Sequence, residues 1–137
     1  MKVDLHLHTT CSDGLFTPQQ LVKKAYELNL KAIAITDHDT VDGILPAIIE
    51  ANKYKDLEVI PGIELSTHCN GQEVHILGYY IDYENFHLKE QLLDLQQNRI
   101  KRLEKILTKL NDIDIQIKYD DVYKYSRGTS VGRPHVA

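Results

Sequence analysis

His6 and His8 stand two residues apart in the opening segment MKVDLHLH, a spacing that on a strand turns both imidazoles to one face. Asp4 shares that face, while Val3, Leu5 and Leu7 form an apolar back. Two imidazoles side by side can bind one cation, since neutral histidine is a common ligand for zinc, manganese and iron. Further donors of the same kind follow: Asp13 in Ser12-Asp13-Gly14, His38 in Asp37-His38-Asp39, then Glu64 and His75. Taken singly, such residues are turn formers or surface histidines. Together they fall at the ends of successive strand-like runs, where an α/β barrel opens its active-site loops on one face. The mixture of nitrogen and oxygen favours zinc, manganese or iron over calcium and magnesium, and does not distinguish among the three.

The elements that must position these donors alternate. The first strand is followed by Thr17-Pro18-Gln19-Gln20, a capping threonine with proline at the first helical position and glutamine three residues after the cap. This predicts a helix to about Asn29 with Leu21, Val22, Ala25, Tyr26 and Leu28 on its apolar face. Lys31–Thr36 (KAIAIT) is short and apolar, as suits a strand covered on both sides. If His38 points inward, so do Ala32, Ala34 and Thr36, with Ile33 and Ile35 turned outward to helices. A second helix is expected over about Gly43–Lys55, and a third strand over Leu57–Ser66, where Glu64 shares a face with Gly62 and Ile60. This β-α-β-α-β order implies parallel strands with right-handed crossovers. Asn70-Gly71 then signals a tight hairpin, whose return strand Glu73–Ile81 brings His75 back towards Glu64.

The character changes at about His87. Leucines and isoleucines at helical spacing as far as Leu110 predict a long amphipathic helix, its apolar stripe broken at Arg99. A coiled-coil partner helix fits that pattern less well than a helix packed on a core. A short strand or turn around Ile113–Ile117 and a small helix near Asp120–Tyr125 are expected next.

The whole chain is 137 residues, enough for one domain and a real core, with 42% hydrophobic and 26% charged residues. Lysine and arginine number 16 against 20 acids, a net −4 that excludes an extended nucleic-acid surface but not a local phosphate site. Two cysteines, Cys11 and Cys69, without CxxC spacing point to a reducing cytoplasm rather than a disulfide scaffold. No signal-like or membrane-spanning apolar run is present.

Five motifs in order, HLHTTCSDG, ITDHDT, PGIELS, VHILGY and GRPHVA, resemble the polymerase and histidinol phosphatase (PHP) domain family. The branch most resembled contains metal-dependent phosphoesterases such as 3′,5′-nucleoside bisphosphate phosphatases. The resemblance implies an α/β fold, the N-terminal portion of a distorted (β/α)7 barrel, with two or three divalent metals at one end. Barrel residues would occupy 1–84, an inserted helical segment 85–130, and a return to the barrel 131–137. By position, His6 and His8 resemble the ligands of a first metal, Asp13 and His38 those of a second, and His75 and His135 those of a third, with Glu64 bridging. Clustered metals would acidify a bridging water, and the resulting hydroxide would be the nucleophile, with no side chain assigned that role. Arg127 and Arg133, flanking a glycine- and serine-rich loop, are candidates to clamp a substrate phosphate.

The expected activity is therefore hydrolysis of phosphate monoesters of nucleotides or short oligonucleotides. The family's closing Asp-x-His motif is absent: His87 and His135 are preceded two positions earlier by Asn85 and Arg133. A barrel of this type needs about 250 residues, so the chain is expected to be a portion of a longer protein, with sheet edges open to self-association. Two other readings compete. An amidohydrolase-like C–N hydrolase also opens with HxH, but no lysine stands at a matching strand end. A non-catalytic structural or regulatory PHP module would lack metal.

Overall fold

The computed structural model describes residues 2–126 and 130–136. Its centre is a four-stranded sheet in the order β1-β2-β3-β4, formed by β1 (Val3–Leu7), β2 (Ala32–Ile35), β3 (Glu58–Cys69) and β4 (Gln72–Tyr79). β1, β2 and β3 are parallel and β4 returns antiparallel, so the expected parallel strands and hairpin are both present. At the hairpin tip Asn70 and Gly71 both have positive φ, 51° and 80°, the twist that a two-residue turn requires.

α1 (Pro18–Glu27) begins with the predicted capping box: the Thr17 hydroxyl accepts from the Gln20 N–H, and the Gln20 side chain accepts from Thr17. Leu21, Val22 and Ala25 are buried against Ile33, Ile35, Ile44 and Ala47. Tyr26 and Leu28, expected on that face, are largely exposed, and Tyr26 stacks instead on Tyr54 with ring centroids 4.6 Å apart. α2 (Ile44–Ala51) is shorter than its periodicity predicts, since the chain turns after Ala51 and Asp56 takes a left-handed conformation before β3.

Inward and outward parity on β2 is as read. Ile33 and Ile35 lie in the helix-covered core, while Ala34 and Thr36 are equally buried. β1 departs from it. Its register with β2 shifts between Asp4 and Leu7, and Val3 and Leu5 are exposed, so only Leu7 of the apolar back packs on the core.

α3 (Phe86–Asn111) matches the predicted long helix almost residue for residue. Its first half sends Leu88, Leu92 and Leu95 into the sheet core; its second half sends Leu103 and Leu107 into a separate cluster with Val122 and Val131. Val122 lies on α4 (Tyr119–Tyr125). Of the short strand or turn expected around Ile113–Ile117, the structure has the turn, over 112–114, followed by residues without regular structure. No described helix is long and apolar enough to cross a membrane.

Candidate metal centre

β1 and the residue that follows it deliver two histidines to one oxygen: His6 Nε2 lies 2.8 Å and His8 Nε2 3.1 Å from Glu64 Oε2. The register shift in β1 falls beside them, in keeping with the way bulges re-aim side chains next to sites. After β1 the chain folds back sharply at Gly14, where a Cβ would sit 2.1 Å from the His8 carbonyl oxygen. That close return puts Asp13 3.6 Å from His8 Nδ1 and 3.7 Å from His38 Nε2.

The loop is anchored from beneath by Asp37. Its carboxylate accepts from the Thr9 N–H at 2.6 Å, the Thr9 hydroxyl at 2.7 Å and the Ser12 hydroxyl at 2.6 Å. Burial holds the Asp37 carboxyl above its usual range, against the lowering effect of the Ser12 and Thr9 hydrogen bonds. Beyond β2 the ladder with β3 gains one further bridge, His38 opposite Glu64. Here the Glu64 N–H donates to the Asp37 carbonyl at 3.2 Å, and the Asp39 N–H to the Glu64 carbonyl at 3.1 Å. This brings His38 Nδ1 to 3.7 Å from Glu64 Oε2. On β4, His75 faces Ser66 across the hairpin, so Glu64 is its diagonal neighbour, and Nδ1 reaches Glu64 Oε1 at 2.6 Å.

Around the buried Glu64 the structure thus assembles three overlapping groups of donors: His6, His8 and Glu64; His8, Asp13 and His38; His38, Glu64 and His75. Within each group the ligand atoms lie within 4.8 Å of one another. The set fits divalent ions on two counts. The buried Nδ1 atoms of His8 and His38 have no hydrogen-bond partner among the described residues. Two ligands about 2.1 Å from a tetrahedral ion lie about 3.4 Å apart, and the contacts of His8 and His38 with Asp13 and Glu64 run from 3.1 to 3.7 Å. His38 is held below its usual range by burial, with Arg99 and His8 adding to the effect against Asp13 and Glu64, which favours the neutral ligand form. Burial alone would raise Glu64. Hydrogen bonds from His6 and His75 and the charges of His38 and His8 outweigh it and hold the carboxyl below its ordinary value.

A cavity of about 340 Å³ opens beside this cluster, walled by Asp13, His38, His75, Arg99, Arg102 and Arg133 among others. Arg99 bonds Asp39 through Nε, Ser66 Oγ at 2.6 Å and the Val131 carbonyl at 3.3 Å. Arg102 grips Glu73 with both terminal nitrogens, at 2.7 and 3.1 Å, and Arg133 adds a third contact at 3.2 Å. Hydrogen bonding from Arg102, helped by His75 and Arg133 and opposed by burial, lowers Glu73 to about 2. None of Arg99, Arg102, Glu73 or Asp39 is assigned a role by motif or spacing. The one visible signal is Arg99, the residue that interrupts the apolar stripe of α3.

His135 is not brought to the cluster. The short 3-10 turn Arg133–His135 folds its ring onto the chain, Nδ1 accepting the Gly132 N–H at 2.9 Å, and the residue lines a second cavity beyond Asp13. Arg133 does line the first cavity, while Arg127 lies outside the described residues. His68 and His87 are exposed.

Comparison with known proteins places this geometry. The family model of the PHP domain matches residues 4–133. The chain is 38% identical over 135 residues to a 5′-3′ exoribonuclease of Escherichia coli, covering 98% of this chain and 46% of that protein. It is 27% identical to a 3′,5′-nucleoside bisphosphate phosphatase of Chromobacterium violaceum, over 98% of this chain and 47% of the relative. Among solved structures, a Bifidobacterium adolescentis protein assigned as a metal-dependent phosphoesterase superposes with a TM-score of 0.89 at 32% identity, over 99% of this chain and 48% of that one. The chain therefore spans about half the length of the relatives it matches.

Proposed function

This chain belongs to the PHP domain family, and we propose that it carries the metal-binding part of a phosphoesterase that hydrolyses phosphate monoesters of nucleotides or of short oligonucleotide ends. The observation that carries the reading is the sharing of Glu64 between two of three overlapping donor groups, an arrangement suited to adjacent divalent ions. His6, His8, Asp13, His38, Glu64 and His75 hold them, with manganese, zinc or iron as the fitting metals. When bound, such ions supply Lewis-acid polarisation of the phosphoryl oxygens and an acidified water.

The chain's own residues do the rest. Glu64, buried and held ionised, keeps His6, His8 and His75 aimed at one point. Asp13 closes the opposite side on its anchored loop. Arg133 is 65% exposed at the cavity mouth and engages one oxygen of Glu73, which leaves much of its planar fork able to meet a phosphate. The relatives named exoribonuclease and nucleoside bisphosphate phosphatase support a nucleotide-derived substrate. A C–N hydrolase gains less support: a Chromobacterium violaceum neighbour with a TM-score of 0.91 at 26% identity is described as an amidohydrolase, but the ion pairs at this cluster involve no lysine among the described residues.

With manganese, the full chain is expected to bind the ion and to release phosphate from adenosine 3′,5′-bisphosphate or cleave a short 5′-phosphorylated RNA. Failure of both reactions, together with a His8→Ala variant that binds manganese as tightly as the parent, overturns the reading.

A further inference from the structure

We propose that Glu73 is a positioning residue that, when an ion is bound, fixes the His75 ring with its proton on Nε2 and Nδ1 towards the centre, and that Arg102 of α3 holds Glu73 in place for this purpose. The inference rests on the ligand set proposed above and adds a role for residues outside it. His75 lies between two carboxylates, with Nδ1 2.6 Å from Glu64 Oε1 and Nε2 3.3 Å from Glu73 Oε1. A neutral imidazole has only one N–H, so it can donate to only one of them. Without an ion the shorter contact, with Glu64, takes that proton; an ion bound through Nδ1 leaves the proton to Nε2 and Glu73.

Glu73 is placed to receive the proton that an ion at Nδ1 leaves on Nε2. Glu73 is two residues from His75 on β4 and therefore on the same face, with its carboxylate immobilised. Both Arg102 terminal nitrogens and Arg133 Nη2 hold it, at 2.7, 3.1 and 3.2 Å. A carboxylate so gripped remains an acceptor, and its Oε1 is the atom that meets both Arg102 and His75. Once Nδ1 serves the centre, Nε2 is the donor and Glu73 its acceptor. Metal-binding histidines characteristically donate their second N–H to a carboxylate that fixes tautomer and ring orientation. Arg102 is one turn beyond Arg99 on α3, so the helix supports the cluster from outside the strands that carry its ligands.

The test measures zinc affinity, by competition with a chelating indicator, and the His75 tautomer, by imidazole nitrogen NMR of the zinc-loaded full chain. In the parent, His75 is expected as the Nε2–H form. Glu73→Ala should weaken zinc by about 10- to 100-fold, the range found for removing such a support, and populate the Nδ1–H form. Glu73→Gln, which keeps an acceptor oxygen in place, should recover most of both, and Arg102→Met should fall between. Zinc affinity unchanged in Glu73→Ala, or weakened while His75 keeps its Nε2–H form, overturns the proposal. Zinc affinity unchanged in His75→Ala instead overturns the ligand set on which it rests.

Discussion

The histidine cluster and the arginine layer beside it use the same chemistry to opposite ends. In the arginine layer every carboxylate is matched: Arg99 with Asp39, Arg102 and Arg133 with Glu73, at hydrogen-bonding distance. In the cluster four histidines surround one buried glutamate, several contacts stand at 3.6 to 3.7 Å, and two buried ring nitrogens have no partner among the described residues. Buried polar groups are ordinarily satisfied. One region is thus complete as protein, and the other is arranged around something the polypeptide does not supply. The difference teaches where each came from. Strand ends place the ligands, and a helix fastens the strands.

The most severe way to break this contrast is at Glu64. Glu64→Ala removes the one oxygen-bearing side chain common to two of the three donor groups. Zinc or manganese affinity should fall by more than the roughly 100-fold that bounds the loss of an outer support. The Arg99–Asp39 pairing should meanwhile persist. Isothermal titration gives the first quantity. A variant that binds as tightly as the parent would show that the cluster is an ordinary buried polar network.

The second break is on the other side. Asp39 is fully buried, and its carboxylate takes the Ser66 N–H at 2.8 Å as well as Arg99. Arg99→Met leaves that carboxylate without its counter-charge, a change that costs about 3–5 kcal/mol when the pair is buried. Urea denaturation should register the loss, and Arg99→Met with Asp39→Asn should restore much of it. Equal stability of the single variant and the parent would mean that the helix is fastened by its leucines alone.

These two regions were unequally legible in the sequence. The ligands are short-range facts: HxH on a strand, DHD beyond an apolar run, Glu64 and His75 linked by an Asn-Gly turn, each following from period-two geometry and hairpin register. His135 was placed at the cluster by resemblance and stands apart, because a 3-10 turn satisfies its Nδ1 locally. The arginine layer depends on where α3 docks, and its pairs span 60 residues for Arg99–Asp39 and 29 for Arg102–Glu73. Amphipathic spacing predicts that a helix packs but not against which carboxylates. The break at Arg99 is the trace it leaves: it falls where the helix passes from one apolar cluster to the other. The apolar back of β1 is exposed for a related reason. Alternation assigns faces, while burial depends on what covers them.

The smallest expected effect separates the hairpin as a scaffold from the hairpin as a chain constraint. Glu64 and His75 are joined through the tip at Gly71, whose φ is 80° and where an added Cβ meets nothing within 4 Å. Gly71→Ala therefore costs only the left-handed backbone, about 1–2 kcal/mol, and the eight-pair register of β3 with β4 should hold. Stability should drop in urea while zinc affinity stays within about twofold of the parent, far from the losses tied to the ligands themselves. Gly62→Ala makes the informative contrast. Its Cβ would stand 3.0 Å from the backbone carbonyls of Ile35 and Gly78, beneath the ladder that aligns Glu64 with His38. Those carbonyls belong to strands on either side and must give way, so this variant should lose zinc affinity along with stability. If Gly71→Ala weakened zinc as much as Gly62→Ala, the ligand geometry would depend on the turn rather than on the sheet.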